Sequence, residues 1–293
     1  MFNLEKIIND FKGNGESIIV PNSKKLTGGY KININKYSGL VSVINRRNSK
    51  EIADVWSNKI FGKNFSNSTY TARIPAVISR QTYVLETIIS KLKLKSKILC
   101  DLGAGEGDFL KMLKEKKLTS KIFGIEPSKK NCSILNKYKI KNYQGTIEEY
   151  ANKKNRLKFD ILTMMWTLCN TSDCYEVIKS ANSLCKKNGY IVIAESSRIL
   201  VPYKKPIQMY IRKGNPDIHS YHFSKNSLCN LLVLNKFKPV YVNRYIDSDC
   251  LVVIAKKVDF IDKKSIKIDN YKKVRTFFSS WHSHSKNYKS EII

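Results

Sequence analysis

The sequence predicts an α/β fold: a doubly wound, mostly parallel sheet with an antiparallel C-terminal strand, preceded by a small α+β extension. Three observations predict it. Strand-like and helix-like segments alternate regularly from residue 97 to residue 195, the pattern of βαβ units and of a parallel sheet covered on both faces. A glycine-rich stretch, Asp101-Leu-Gly103-Ala-Gly105-Glu-Gly107, falls between the first of those strands and the first of those helices. The composition, 42% hydrophobic and 26% charged over 293 residues, supplies a core and excludes a mainly disordered chain.

In chain order, Tyr30-Lys-Ile-Asn-Ile-Asn alternates by twos and Gly39-Leu-Val-Ser-Val-Ile resumes after a Ser-Gly break, which predicts a short hairpin. Asn48 to Phe61 places Ile52, Val55, Trp56 and Ile60 on one helical face. After Pro75, a long helix is marked by Val77, Val84, Leu85, Ile88, Ile89 and Leu92. Lys97-Ile-Leu-Cys-Asp-Leu is the first core strand and Phe109 to Lys116 its helix. Lys121-Ile-Phe-Gly-Ile-Glu and the helix Lys129 to Tyr138 follow, then a weak strand at 141–144 and a helical turn from Ile147. Phe159-Asp-Ile-Leu-Thr-Met-Met reads as a buried strand. Cys174, Val177, Ile178, Ala181 and Leu184 mark a helix closed by Asn188-Gly189, and Tyr190-Ile-Val-Ile-Ala-Glu is the fifth strand. Pro202, Pro206 and Pro216 then predict an irregular, substrate-covering segment over 196–222. Ser224 caps a helix carrying Leu228, Leu231, Leu232 and Leu234, and two strands, from Val240 and from Cys250, pair around Ile246-Asp-Ser-Asp. The expected organisation is an extension over 1–73, the main domain over 74–257, and a basic tail over 258–293 with aromatics at Phe277, Phe278 and Trp281.

Several function classes are disfavoured at this level. No run approaches the ~18 apolar residues of a membrane helix, and Met1 to Lys12 lacks the apolar stretch of a secretory signal. The seven cysteines are spaced singly, with no Cys-x-x-Cys knuckle, so no metal site is expected and the chain reads as reduced and cytoplasmic. The net charge of +29 points at first to a polyanion. Yet the excess is spread along the whole chain, and Lys outnumbers Arg 44 to 9 beside 34 Ile and 26 Asn. All three abundant residues have A/T-rich codons, so codon drift accounts for the charge better than a nucleic-acid footprint does.

The chemistry concentrates at strand ends. Glycines at a strand-to-helix turn let a ligand approach the backbone, beside the free N–H groups of a helix start. The dinucleotide fingerprint would need its third glycine at Asp108. Glu126 ends the next strand, where a carboxylate can accept both hydroxyls of a ribose. Together the stretch from Asp101 through Gly103, Gly105 and Gly107, with Glu126 at this spacing, resembles the class I S-adenosylmethionine (SAM)-dependent methyltransferases. The resemblance covers roughly residues 75–257 and implies SAM as cofactor, with the glycine loop beside its methionine moiety and sugar and Glu126 on its ribose. It implies Thr146 and Ile147 against the adenine, Met165 and Trp166 along the methionine arm, and Arg80 and Tyr83 closing over the carboxylate. Many small-molecule members carry a His at the position of Trp166 and an acidic-His pair at Cys169-Asn170; this chain departs from both.

A narrower resemblance lies in Asp217-Ile-His219-Ser-Tyr-His222-Phe-Ser224. It is similar to the His-Glu-His-x-x-Tyr-Phe-Ser segment of bacterial sugar methyltransferases, with His219 on the second His and with Asp217, Ile218 and His222 departing. This implies a small-molecule acceptor, a nucleotide-activated sugar or surface-polysaccharide precursor. His219 is the expected base, since imidazole titrates near neutrality, with Glu195 as alternative or orienting partner and His222 nearby. Tyr203, Tyr210 and Arg212 are the expected contacts to sugar hydroxyls or a diphosphate. Two other readings stay open: an RNA methyltransferase, and a SAM-binding protein without catalysis.

Overall fold

The structure is a computed structural model of the chain, describing residues 2–20, 31–44, 46–56, 74–196, 199–202, 207, 219–246 and 250–285. Its main sheet is built from β4 (Ile98–Leu102), β5 (Lys121–Glu126), β6 (Lys141–Gln144), β7 (Phe159–Met165), β8 (Cys185–Glu195), β10 (Phe237–Val242) and β11 (Leu251–Lys257). The strand order is β10-β11-β8-β7-β4-β5-β6. The five strands β8, β7, β4, β5 and β6 run parallel, and β11 lies antiparallel between β8 and β10. The chain leaves β4 first to one side and later to the other, so a crevice opens beyond the carboxyl end of β4.

Alternation within each strand feeds two apolar layers. Cys100 and Leu102, Ile191 and Ile193, and Leu251 and Val253 face one core, shared with α6 (Ile147–Ala151), α7 (Cys174–Leu184), α8 (Lys225–Leu234) and α1 (Leu4–Lys12). Leu99, Val192, Ala194, Val252 and Ile254 face the other, under α3 (Ile74–Lys91), α4 (Asp108–Glu115) and α5 (Lys129–Lys137). Helix starts are fixed by side-chain caps. Asp173 accepts from the Tyr175 and Glu176 amides, and Ser224 from that of Ser227, removing orphan donors at the N-termini of α7 and α8.

The Asn188-Gly189 pair does not simply close α7. The chain enters β8 at Cys185, opposite Phe159, and the next registered pair is Ile161 with Tyr190. Residues 186–189 loop out between them, with Asn188 at φ +59°. The turn signal is therefore spent inside a strand, a bulge that the local sequence does not distinguish from a helix end.

A second, antiparallel sheet has the order β1-β2-β3-β9, from β1 (Ser17–Ile19), β2 (Ile32–Asn35), β3 (Val41–Val43) and β9 (Tyr221–His222). The expected hairpin is β2–β3, with Ile32 opposite Val43 and Ile34 opposite Val41. Its turn closes at Gly39, φ +71°, whose amide donates to the Asn35 carbonyl. Strand β9 joins it across the molecule, Val41 opposite His222 and Ser42 opposite Tyr221. The basic segment after β11 holds a helix, α9 (Tyr271–Ser285), that buries Val274, Phe278 and Trp281 against Ile32, Ile34, Val41 and Val43. Asp269 ties this region down: it accepts from the Ser224 hydroxyl and from Asn226 Nδ2, and its amide donates to the Ser38 carbonyl. A short helix α2 (Ser49–Asp54) is opened by a capping box between Asn48 and Glu51; residues 57–61 of the helix expected to Phe61 lie outside the described residues. Among the described residues no helix is long and apolar enough to cross a membrane.

Candidate active site

Five segments converge on the carboxyl edge of the main sheet. The first is the loop between β4 and α4. Gly103, Gly105 and Gly107 all have positive φ, at +79°, +55° and +80°. A Cβ on Gly103 would overlap Thr167, and one on Gly107 would overlap Leu135. A Cβ on Gly105 would meet nothing within 4 Å. Packing thus demands two of the glycines, while the third borders open space against the backbone.

The loop is drawn to β5. The amides of Gly103 and Ala104 donate to the Ile125 carbonyl, at 2.8 and 3.1 Å. Glu126, 5% exposed, takes the Gly105 amide on Oε2 at 2.9 Å, and on Oε1 the Ser128 amide at 2.9 Å and Asn131 Nδ2 at 3.3 Å. Burial raises its carboxyl above the usual range, and these donors partly offset the shift. Asp101, 3% exposed, accepts the Thr163 hydroxyl at 2.7 Å. Burial, with the Glu126 charge adding to it, pushes Asp101 up to about 7.

Beyond β6, Thr146 caps α6 through a reciprocal pair with Glu149, and Ile147 is buried in the apolar core. Past β7, Met165 is buried and Trp166 sits at φ +52°, strained for an aromatic residue. The Arg80 guanidinium, from α3, lies 5.8 Å from the Trp166 ring centre. Tyr83, one turn further along α3, instead engages the end of β10: its hydroxyl accepts from Asn243 Nδ2 at 2.9 Å. Among the described residues, three buried side-chain atoms of this edge lack a hydrogen-bond partner: Asn131 Oδ1, Trp166 Nε1 and Glu195 Oε2. Native interiors leave few such atoms unexplained. The open space against the backbone at Gly105, with polar atoms of the same sheet edge still unsatisfied, fits a bound molecule with donors and acceptors of its own, such as SAM.

The fifth segment brings His219 in. Its Nδ1 lies 2.9 Å from Asn170 Oδ1 and 3.2 Å from Cys169 Sγ. Asn170 Nδ2 donates to the Trp166 carbonyl at 2.8 Å, which orients its oxygen toward the imidazole. Nδ1 is then the protonated nitrogen and Nε2 the basic one. The Cys169 amide in turn donates to Glu195 Oε1 at 3.1 Å. Glu195 is 1% exposed, and burial pushes its carboxyl up to about 7. The His222 ring stands nearly perpendicular to that of His219, centres 6.2 Å apart. Cys169 and Asn170, which depart from the pattern the resemblance supplies, thus carry the contacts that hold the imidazole. Sequence reasoning did not find this, because the partner is 50 residues away. Tyr203, Tyr210 and Arg212 lie outside the described residues. No group of three or more His, Cys, Asp or Glu side chains able to hold a metal occurs among the described residues.

The raised Glu195 carboxyl has a measurable consequence. A group whose pKa is higher folded than unfolded contributes stability that is fully present below the unfolded value, here 4.5, and lost as pH rises through about 7. Glu195→Gln removes that loss. From pH 5 to pH 8 its unfolding free energy should gain up to about 3 kcal/mol relative to the parent chain. Urea melts of both proteins at the two pH values check this; parallel changes in the two would mean Glu195 ionises normally.

The profile of a methyltransferase domain family matches residues 77–242. The ubiquinone biosynthesis O-methyltransferase of Pelagibacter ubique is 32% identical over 139 residues, 42% of this chain and 55% of that protein. The demethylmenaquinone methyltransferase of Thermotoga maritima is 26% identical over 155 residues, 48% and 66% of the two chains. The chain thus spans about half to two thirds of the length of these curated relatives. In fold it is similar to magnesium protoporphyrin IX methyltransferase from Synechocystis with SAH bound, at a TM-score of 0.55 and 12% identity, covering 72% of this chain and all of the other. The matched residues run from α3 to β10 and include the glycine loop, Glu126, Trp166, Glu195 and His219, so the chain belongs to the methyltransferase domain family, with the class I fold and SAM as its cofactor.

Proposed function

We propose that the chain transfers a methyl group from SAM to a small-molecule acceptor whose attacking atom must lose a proton. The observation that carries this reading is the orientation of His219: Asn170 holds its Nδ1 and presents Nε2 as a base. The glycine loop from Gly103 to Gly107 would hold the cofactor against Asp101 and Glu126, with Thr146 and Ile147 beside the adenine, Met165 and Trp166 along the methionine arm, and Arg80 over the carboxylate. The bound sulfonium supplies an activated methyl group. The chain's own task is then alignment and proton removal. His219 takes the proton, and Glu195 acts through the Cys169 peptide as a positioning residue, keeping the turn that carries Asn170 in register. Tyr83, tied to Asn243, borders the same edge.

The segment from His219 to Ser224 favours a nucleotide-activated sugar or polysaccharide precursor as acceptor. A second reading, a hydroxyl on an aromatic or quinone-type ring, is favoured by the relatives named for ubiquinone and menaquinone. Turnover with SAM on three panels separates them: nucleotide sugars, ring hydroxyls, and structured RNA at ~150 mM salt. Methylation of one small-molecule panel, with RNA binding that collapses as salt rises, is expected. RNA methylation that survives that salt would replace this reading, and SAM binding without any turnover would favour a non-catalytic role.

A further inference from the structure

Spread along the sequence, the positive charge is gathered in space at one edge of the main sheet. The strand pairings bring the start of each parallel strand, the end of β11 and the start of β10 together at the amino edge, opposite the crevice. Six short stretches lie there, at 92–97, 116–121, 138–141, 152–158, 186–189 and 235–238. Sixteen of their 31 residues are Lys or Arg and none is Asp or Glu, against 53 basic and 24 acidic among the 293 of the whole chain. Four described stretches at the opposite edge, at 103–107, 127–128, 145–146 and 166–173, hold two acids and no Lys or Arg. Codon drift enriches lysine everywhere and does not choose one end of each strand. Helix ends account for part of the pattern, since cations complement a helix C-terminus and α3 to α6 end here, but Lys97, Lys121, Lys141 and Lys158 stand at strand starts. Ion pairing takes up little of the charge: Asp160 holds Lys186 at 2.9 Å, and Asp259 lies 3.8 Å from Lys187. Burial lowers the Lys257 ammonium below its usual range, and the charges of Lys158 and Lys236 add to that, so these cations stand close enough to repel one another.

Like charges kept together against their own repulsion fit a partner of opposite sign. Three further features choose that partner. Apolar side chains stand out among the lysines: Tyr138, Leu157 and Phe260 are 48%, 52% and 58% exposed. A single arginine, Arg156, is found among the sixteen cations, whereas nucleic-acid recognition favours the guanidinium fork. The face is also broad, since seven strands about 4.8 Å apart span roughly 30 Å, with helices packed on both sides. Lysines around protruding apolar groups suit a surface that lays diffuse negative charge over hydrocarbon. We propose that the amino edge of the main sheet docks on an anionic lipid bilayer, with its lysines on the headgroups and Leu157 and Phe260 in the interface. Docked in this way, the crevice at the carboxyl edge opens away from the bilayer. The docking is independent of the reading of His219 as the base.

The test mixes the full chain with vesicles of phosphatidylcholine, alone or with about 30% phosphatidylglycerol, at ~150 mM salt, and reads binding by flotation. The anionic vesicles should carry the protein and the neutral ones should not. Lys121→Gln, Lys141→Gln and Lys158→Gln together should weaken that binding about 100-fold, about fivefold for each charge. Lys50→Gln, Lys272→Gln and Lys273→Gln remove three exposed charges from α2 and α9. With the same net charge as the edge variant, they should cost less than about threefold, because charges beyond a Debye length are screened. Leu157→Ser with Phe260→Ser should weaken binding about tenfold and leave the remainder more sensitive to salt. Thermal melts check each fold, and where the triple edge variant does not fold, its single substitutions are read at about fivefold each. Four results would each overturn the proposal: no binding to anionic vesicles, equal losses in the two triple variants, no loss in the serine variant, or structured RNA displacing the vesicles from this edge, which would make the partner a nucleic acid.

Discussion

Gly105→Val is expected to weaken SAM binding by at least about 100-fold while leaving the protein folded. Two effects add. Residue 105 sits at φ +55°, which costs a side chain roughly 1–2 kcal/mol and a β-branched one the most. The larger effect is steric: the new side chain projects into the open space beside the loop, where a cofactor must lie against the backbone. The neighbouring glycines make the control. Gly107→Val drives its side chain into Leu135, on the inner face of α5, so it should lose the fold itself. Calorimetry with SAM beside thermal melts distinguishes the two. A stable Gly105→Val protein that binds SAM as well as its parent would remove the loop from the cofactor site.

His219→Ala is the second large effect: turnover down by roughly 10²–10⁴-fold, the usual worth of a positioned base, with SAM affinity nearly unchanged. The specificity of that split comes from position. His219 contacts Cys169 and Asn170, just past Trp166, whereas the glycine loop proposed to hold the cofactor is held by Glu126 and Ile125. His222→Ala should cost less, because His222 lies on β9 and meets the first imidazole only edge to face. A purely structural role would lower the melting temperature and turnover together in both variants. Near-normal turnover in a stable His219→Ala protein would show that the acceptor needs no base from this residue.

The loop and acid proposed to hold the cofactor were legible in the sequence because their determinants are local. Three glycines follow one strand, an acid ends the next, and periodicity alone places both at the same sheet edge. Even there the division of labour among the glycines was hidden, since only the fold shows that Gly103 answers to Thr167 and Gly107 to Leu135. The surroundings of His219 were far less legible. Strand β9 is two residues long and carries no period, and its partner β3 lies some 180 positions earlier. The segment after β11 reads as polar because lysines dominate it, yet Val274, Phe278 and Trp281 recur at helical spacing and are buried.

The small sheet also fixes an order of events as the chain is made. By residue 257 every strand of the main sheet exists, and most of its pairings join segments close in sequence. By then β9 has been made as well, and what the small sheet still lacks is the helix that starts at Tyr271, which covers its apolar face. Such distant pairings form slowly, because a long loop must be closed before any contact rewards it. A chain made in this order is therefore expected to pass through a stage in which every strand of the main sheet is present while the apolar face of the β2–β3 hairpin still lacks its covering helix.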